Sequence, residues 1–423
     1  MNNKKQKALD DIRVIDMTDS NGLYCTKLLA DLGADVIRIE PPGGDTIRKK
    51  GPFYKDEVDS EKSLYHFHFN TNKRSITLDI NTDQGKKILK RLIETADIVV
   101  ETFSPGYLDS IGLGYEKMKE INQEIILVSI TGFGQKGPYK DYKLTDLTGL
   151  AVSGVLYTMG FPEDPPTTLG GNQAFHMVSA NAAIGALIAV FNRDMGGGGQ
   201  WVDVPMQGTV LRMSEMAPFT YWVKGVSRGR SGLEYYRSLR DNFPCKDGRV
   251  ICSALGGAGA DRMLGWMENE GMSADLGNEK FTEVISLMKK ATIGDAATKR
   301  LALEFKDEVA HIEDVWEAFL MTHTREELFV GAQSRKVRLF PVNDARSVVE
   351  DVGLKERSYF VEVEHDELGR SITYPGPPYR LSATPWTISK RAPLIGEHNN
   401  EIYEGELGLT KSEIENFKSL KIF

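Results

Sequence analysis

Residues 11–45, DIRVIDMTDSNGLYCTKLLADLGADVIRIEPPGGD, contain the pattern that decides the fold. DIRVIDMT (11–18) indicates a buried strand, and YCTKLLADLGA (24–34) indicates a short helix. DVIRIE (35–40) indicates a second strand, which the turn-rich residues PPGG (41–44) terminate. A strand–helix–strand unit of this length predicts parallel strands in an α/β layer.

The same alternation continues outward from this stretch. Further strands are predicted at 75–80, 97–103, 124–134 and 201–206. Between the first two of them, GKKILKRLIETA (85–96) predicts an amphipathic helix. The predicted class is therefore α/β.

The later part of the chain has a different pattern of predicted secondary structure. Residues 174–193 predict a long helix rich in Ala, Ser and Gly, and residues 225–330 are helix-rich with few strand signals. Turns and short strands return after Val337. We therefore predict a large Rossmann-like α/β domain that consists of residues 1–215 and 335–423. Residues 225–330 are predicted to form a small domain.

Composition and charge exclude several classes of protein. The 423 residues include 52 basic and 60 acidic side chains, a net charge of -8, which disfavours nucleic acid or an anionic membrane as the main partner. The apolar stretch 179–191 is too short to span a bilayer, and the N-terminal MNNKKQKALDD lacks the apolar core of a signal peptide. The three cysteines show no metal-like spacing. We expect a cytoplasmic protein without a metal.

An ordered series of motifs resembles the class III CoA-transferase (CaiB/BaiF-like) family. The series consists of RVIDMT (13–18), CTKLLADLGADVIRIEPPGGDTIR (25–48), NKRSITLDI (72–80), ADIVVETFSPGYLDSIGLGYE (96–116), ITGFGQKGPY (130–139), FPVND (340–344), PGPPYRLSATP (375–385) and RAPLIGEHNNEIY (391–403). Each motif is weak alone, but their shared order along the chain is specific. The family also includes acyl-CoA racemases of the same fold.

The resemblance implies a fold, a substrate and a reaction. The implied fold is a large α/β domain from both chain ends plus a smaller inserted domain, with two chains threaded through each other as an interlocked dimer. The implied substrate is an acyl-CoA, and an aspartate carboxylate attacks its thioester to give a mixed anhydride and free CoA thiolate. An aspartyl-CoA thioester takes part on the way, and the acceptor acid then takes over the enzyme's acyl group, so that CoA passes from the donor to the acceptor.

The resemblance also places nine residues near CoA. Arg38 ends the second predicted strand, where open α/β sheets bind ligands, and its guanidinium suits a phosphate; the alternative is a surface ion pair with Glu40 or Asp45. The other eight are a basic turn, a strand end that lacks an arginine common in relatives, and a pair near the thioester: Asn72, Lys73, Arg74; Thr102, Phe103, Ser104; Lys143, Asp146.

Two of these groups have structural alternatives. The basic turn is equally compatible with a solvated charge cluster. Asp146 is equally compatible with an N-cap of the helix predicted to start at Leu147, and one residue can serve both purposes.

The position of the nucleophile is the decisive one. Relatives have a Leu-Gly-Asp-like element before the small-residue helix, and here the corresponding run starts Leu169-Gly170-Gly171. Gly171 therefore occupies the nucleophile's place, and no Asp or Glu lies between Asp164 and Asp194. The sequence predicts no catalytic residue of its own in this position.

Three carboxylates are candidates for a displaced nucleophile: Asp146, Asp164 and Glu215. None of them matches the family's position. The racemase branch needs a His and an Asp as acid and base. The matching positions are Thr145 and the same Asp-less stretch, so a racemase is disfavoured.

The leading hypothesis is a CoA-transferase subunit whose paralogous partner carries the aspartate. In this the chain resembles the succinyl-CoA:benzylsuccinate CoA-transferases of anaerobic aromatic degradation, which are heteromeric and have an Asp-less subunit type. The alternatives are a self-sufficient homodimer with a displaced carboxylate and a non-catalytic CoA-binding regulatory protein.

Overall fold

The computed structural model describes residues 7–227, 229–230, 240–253, 259–291 and 296–423. The chain divides into two compact units. The large unit consists of Met1–Leu156, Thr168–Ser227 and Val352–Phe423, and the small unit consists of Tyr157–Thr167 and Arg228–Asp351. Both ends of the chain therefore contribute to the large unit.

A six-stranded sheet forms the centre of the large unit. Its strands are β1 (Arg13–Met17), β2 (Asp35–Glu40), β3 (Arg74–Thr77), β4 (Ile98–Glu101), β5 (Ile126–Thr131) and β6 (Trp201–Pro205). Their spatial order is β3-β2-β1-β4-β5-β6, and every pairing is parallel. The α/β prediction is thus confirmed. The strand order reverses between β1 and β4, the topological switch point at which open α/β sheets bind ligands.

Among the described residues up to Lys224, nine α-helices accompany these strands. They are α1 (Leu23–Asp31), α2 (Leu64–Phe69), α3 (Asp83–Glu94), α4 (Tyr107–Ser110), α5 (Tyr115–Ile121), α6 (Asp146–Val152), α7 (Gln173–Asn192), α8 (Met206–Leu211) and α9 (Met216–Lys224). Helix α3 shows why the sequence pattern was informative. The Thr82 side chain caps its first turn, and Ile88, Leu89 and Leu92 all face the core.

Helix α7 matches the helix predicted at residues 174–193 and is longer than the apolar stretch 179–191 inside it. Together with the turn that follows, Gln173–Gly197 is the one helix of the described residues that is long and apolar enough to cross a membrane, by length and composition alone. The expectation that the stretch is too short was therefore wrong. The helix packs against α1, α8, β5 and β6, with Ala182 and Ala186 fully buried, as in the core helix of a globular unit.

The small unit combines a short antiparallel sheet with a helical layer. Its elements are β7 (Asn242–Cys245), β8 (Gly248–Cys252), α10 (Gly259–Asn269), α11 (Thr282–Lys290), α12 (Ala296–Leu303), α13 (Lys306–Leu320), α14 (Arg325–Arg335), β9 (Leu339–Pro341) and α15 (Ala345–Glu350). The three strands pair in the order β7-β8-β9. Its own core contains Trp266 and Phe319, whose rings pack edge to face at 5.2 Å.

The chain then returns to the large unit. It adds α16 (Val352–Glu356), the antiparallel pair β10 (Phe360–His365) and β11 (Arg370–Pro375), and α17 (Lys411–Ser419). The C-terminal segment is fixed to the parallel sheet, because the Tyr403 hydroxyl donates to the Thr77 carbonyl at 2.7 Å and its ring stacks on Phe423.

Candidate functional site

The loops that follow β1 and β4 meet at the switch point of the sheet. The Asp19 backbone N–H donates to Thr102 Oγ1 at 2.8 Å and so joins the two loops. Asn21 accepts a hydrogen bond from Ser179 of α7 at its carbonyl, at 2.7 Å. These loops at the carboxyl ends of the strands form the candidate site, because open α/β sheets bind ligands at this edge.

Lys50 and Tyr65 extend the site from neighbouring elements. The Lys50 ammonium donates to the Ser20 hydroxyl and lies 5.3 Å from the centre of the Tyr65 ring. The Tyr65 hydroxyl interacts with the side chains of Ser20 and Asn172. A cation, hydroxyls and an amide therefore converge between the first strand end and the start of α7, a set suited to binding carboxylate or thioester oxygens.

The turn before α7 carries the position of the missing nucleophile. Gly171 has φ +85° and Asn172 has φ +57°, so both are in the left-handed region that favours glycine and tolerates asparagine. Asn172 stands at the N-cap of α7 but makes no capping hydrogen bond with its side chain.

Asp146 supplies the missing cap from another helix. Its Oδ1 accepts a hydrogen bond from Phe175 N in the first turn of α7 at 3.1 Å. The interpretation of Asp146 as the N-cap of its own helix was wrong, because Thr145 caps α6 through a reciprocal bond with Thr148. Asp146 thus fixes the turn that contains Gly171.

Replacing Asp146 with alanine is expected to loosen the start of α7. Loss of one cap costs about 1 kcal/mol, so amide hydrogen exchange at Phe175 and the neighbouring first-turn amides should accelerate roughly fivefold. Asp164→Ala, in an exposed turn of the small unit, is the matched control. Equal exchange in both variants would contradict the capping role.

The other carboxylates fall into two groups. Asp164 and Glu215 are exposed, and Glu215 pairs with Arg212 at 2.7 Å. Asp19, by contrast, lies in the switch-point loop itself. Its side chain contacts solvent, yet the surrounding protein desolvates the carboxylate and raises its pKa. The sequence interpretation missed Asp19, although its place just after β1 was a usable signal.

The residues predicted to meet CoA lie in different environments. Thr102 and Phe103 are half-buried at the end of β4, while Ser104 and Lys143 are exposed. All four residues are at least partly open to solvent. Their contact with CoA stays a prediction.

Arg38 and Lys73 lie inside the protein instead. Arg38 is 1% exposed, and its terminal nitrogens bind Asp16 and Asp45. The Lys73 ammonium binds Asp16 at 2.9 Å and Asn70 at 3.0 Å, and burial lowers the pKa of Lys73 to about 8. A contact of either side chain with CoA, which stays a prediction, requires these ion pairs to exchange.

Asn72 and Arg74 connect distant parts of the large unit. The Asn72 side chain donates to Asp31 and accepts from the backbone N–H of Ser389 and of Lys390. Arg74 pairs with Asp35 and with two glutamates of the C-terminal segment. Both side chains are therefore already engaged within the chain, and their contact with CoA also stays a prediction.

Glu101 ends β4 beside the site and is 4% exposed. Burial raises the pKa of Glu101 to about 7, with a contribution from the nearby Asp203 carboxylate. Bonds from Ser129 and from the Phe103 N–H, the latter at 2.6 Å, oppose the rise. At neutral pH this carboxyl group is therefore near the midpoint of its titration.

The Glu101 titration predicts a pH dependence of stability. The pKa of Glu101 in the folded protein lies above its ordinary value of 4.5, so the folded state favours the protonated carboxyl group. The contribution of Glu101 to the free energy of unfolding is therefore fully present below pH 4.5 and is lost as the pH rises through 7, by up to about 3 kcal/mol. In Glu101→Gln this loss should disappear, so the melting temperature should fall less between pH 5 and pH 8 than in the unmodified protein. Parallel profiles of the two proteins would refute the assignment, and exposed Glu116→Gln is the control.

Among the residues that the structure describes, no group of three or more His, Cys, Asp or Glu side chains is placed to hold a metal ion. The polar side chains that the structure places at the site are those of Lys50, Tyr65, Asn172, Asp19 and Asp146.

The chain is similar to several characterised transferases. It is 33% identical over 408 residues to the succinyl-CoA:(R)-benzylsuccinate CoA-transferase subunit BbsE of Thauera aromatica, covering 96% of this chain and 95% of that protein. It is also 33% identical to the formyl-CoA:oxalate CoA-transferase of Streptomyces avermitilis, and 32% identical to the succinyl-CoA–D-citramalate CoA-transferase of Chloroflexus aurantiacus. These two alignments cover 98% and 96% of each chain, respectively.

Structure and family comparison agree with these similarities. A crystal structure of a CaiB/BaiF family protein from Brucella suis superposes with a TM-score of 0.80 at 27% identity, covering 95% of this chain and 100% of that one. The model of CoA-transferase family III matches residues 9–399. The chain is therefore a CoA-transferase that belongs to family III.

Proposed function

We propose that this chain is one subunit of a heteromeric CoA-transferase. It moves CoA between an acyl-CoA donor such as succinyl-CoA and a carboxylic acid acceptor such as an aryl-succinate, in the cytoplasm. A paralogous partner supplies the catalytic aspartate. The observation that carries the proposal is Gly171, in a turn that continues into a carboxylate-free run up to Asp194.

The chemistry explains why this position matters. A carboxylate must attack the acyl carbonyl, expel CoA thiolate and later leave again, so a glycine without a side chain cannot replace it. In the proposed enzyme the partner's aspartate forms the anhydride. This chain contributes CoA-binding groups at its strand ends, namely Thr102, Phe103 and Ser104, with Lys143 and Asp146.

Surface chemistry supports a partner chain. Ile184, Ile188 and Phe191 form an apolar stripe along α7 and are 56%, 62% and 69% exposed. Trp222 of α9 is 80% exposed. Large exposed apolar patches mark interaction surfaces, and we assign this one to an interlocked dimer with the paralogue. The relative BbsE is named as a subunit of its transferase, which supports a partner chain.

The test is a transferase assay with succinyl-CoA and a panel of dicarboxylic acids. We expect turnover when this chain is co-expressed with a family member that retains the aspartate. We expect no turnover from this chain when it is purified alone. Activity of this chain alone, abolished by substituting one of its own carboxylates, favours a self-sufficient enzyme. CoA binding without turnover in any mixture favours a regulatory protein.

A further inference from the structure

Lys50 is a basic residue at the switch point whose charge stays available. Two other cations on the same stretch of chain, Arg38 and Arg48, are buried, and each guanidinium pairs with two carboxylates. Lys50 is exposed, and no acidic side chain among the described residues forms an ion pair with it. A negatively charged ligand can therefore bind this ammonium without first breaking an ion pair.

The contacts of the Lys50 ammonium hold it at the candidate site. It donates to the hydroxyl of Ser20, in the loop after β1, and lies 5.3 Å from the centre of the Tyr65 ring. An ammonium group has three N–H donors, and within the described part of the chain Ser20 is the acceptor for one of them. The remaining donors suit a carboxylate, which accepts charge-assisted hydrogen bonds.

The backbone that carries Lys50 and Tyr65 is fixed by buried side chains. The Ser63 hydroxyl donates to the Lys50 carbonyl at 2.5 Å and accepts from the His66 N–H at 3.1 Å, so it joins Lys50 to the first turn of α2. On the other side of this turn, His66 Nε2 donates to the Pro393 carbonyl at 3.0 Å. Both side chains are therefore presented by a preformed frame, which lowers the entropic cost of binding a ligand.

The Tyr65 hydroxyl is a neutral donor beside this ammonium. Burial raises the pKa of Tyr65, and the carboxylates of Asp146 and Asp19 add to the rise, so the hydroxyl keeps its proton at neutral pH. The hydroxyl also interacts with the side chain of Asn172, which directly follows Gly171 along the chain. It therefore lies next to the turn that carries the position of the missing nucleophile.

Asp19 is the acidic residue that opposes the binding of an anion here. Burial raises the pKa of Asp19, whereas its bond with the Asn21 N–H and the charge of Lys50 lower it. Asp19 Oδ1 accepts from the Asn21 N–H at 3.2 Å, so this carboxylate stabilises its own turn and forms no ion pair with Lys50. Its charge should therefore weaken, but not cancel, the attraction between Lys50 and an anion.

We propose that Lys50, together with the Ser20 and Tyr65 hydroxyls, binds the unreactive carboxylate of a dicarboxylic substrate. Lys50 is then a specificity-determining residue that selects dicarboxylic over monocarboxylic acids, because only a dicarboxylic acid keeps a charge after its first carboxylate has become a thioester. The choice of substrate rests on the transferase reaction proposed above. Binding of the free acid to this chain requires no partner.

Succinate and butyrate are the direct probes, because they have the same number of carbon atoms and differ by one carboxylate. Ligand-observed NMR titrations of the purified full chain at low ionic strength give both affinities. We expect succinate to bind at least about fivefold more tightly than butyrate, and Lys50→Met to remove this preference. Lys49→Met removes the same charge from the neighbouring exposed residue, and as the matched control it should keep the preference.

Two further measurements sharpen the test. Asp19→Asn removes the opposing charge and should bind succinate about two- to threefold more tightly. Adenosine 3′,5′-bisphosphate carries phosphates but no carboxylate, and it should bind equally to the unmodified chain and to Lys50→Met. Equal affinity for succinate and butyrate, an unchanged preference in Lys50→Met, or an equal loss in Lys49→Met overturns the proposal. A loss that affects only the bisphosphate also overturns it, since it assigns Lys50 to a phosphate of CoA.

Failure of this proposal and failure of the partner model give different results. Without the Lys50 site, succinate binds no better than butyrate, and the partner-dependent turnover of Lys50→Met equals that of the unmodified enzyme. Without the partner requirement, the purified chain turns over alone, but its preference for succinate and the loss of that preference in Lys50→Met persist.

Discussion

Replacing Asp16 with alanine is expected to destabilise the large unit by about 3–5 kcal/mol, the cost of leaving buried charges unpaired. Asp16 is fully buried and accepts bonds from Thr18 at 2.6 Å, Thr26 at 2.8 Å, Lys73 at 2.9 Å and Arg38 at 3.2 Å. Burial works against its ionisation, but the two cations hold the pKa of Asp16 well below its usual range. Without it, two buried cations face each other.

The melting temperature is the appropriate measurement, because a chain of two units need not unfold in one step. A fall on the order of 10 °C is expected for Asp16→Ala. Glu120→Ala is the control, since Glu120 pairs with Lys117 in an ion pair exposed on both sides. This substitution should change stability by less than about 0.5 kcal/mol. Similar melting temperatures for both variants would show that the buried ion network does not stabilise the unit.

Replacing the partner's catalytic aspartate with alanine is expected to lower the turnover of the mixed enzyme by at least about 10³-fold, the scale of losing a nucleophile. In this chain, Asp164→Ala and Glu215→Ala should leave the turnover within about twofold of the unmodified enzyme. Both side chains are exposed and neither belongs to the candidate site. Steady-state rates of the complexes with succinyl-CoA provide the comparison.

Two outcomes would contradict the partner model. One is a mixed enzyme that stays active after the partner's aspartate is removed. The other is a loss of activity on substituting Asp164 or Glu215 that matches the loss on substituting the partner's residue. Size-exclusion chromatography of each mixture separates failed catalysis from failed assembly.

The parts of the fold that local pattern determines were predictable. The strand–helix–strand unit at 11–40 has the apolar runs and turn residues of parallel strands, and α3 has both its cap and its apolar face within one stretch of sequence. The helix predicted at residues 174–193 corresponds to α7, Gln173–Asn192.

The interactions of the charged residues were not predictable from local sequence. Lys73 and Asp16 are 57 residues apart, so no local pattern reveals that they pair inside the core. Asp146 caps a helix 29 residues further along the chain for the same reason. Lys50 and Tyr65 likewise enter the candidate site only through the packing of separate elements around the switch point.

Trapping the acyl-enzyme tests the central claim most directly. The purified chain is incubated with succinyl-CoA, with and without the aspartate-bearing partner, treated with hydroxylamine or borohydride, and mapped by peptide mass spectrometry. The expected result is no modified peptide from this chain in either sample and a modified aspartate on the partner in the mixture. A modified carboxylate on this chain, whether Asp19, Asp146 or another, would contradict the claim that Gly171 leaves it without a nucleophile.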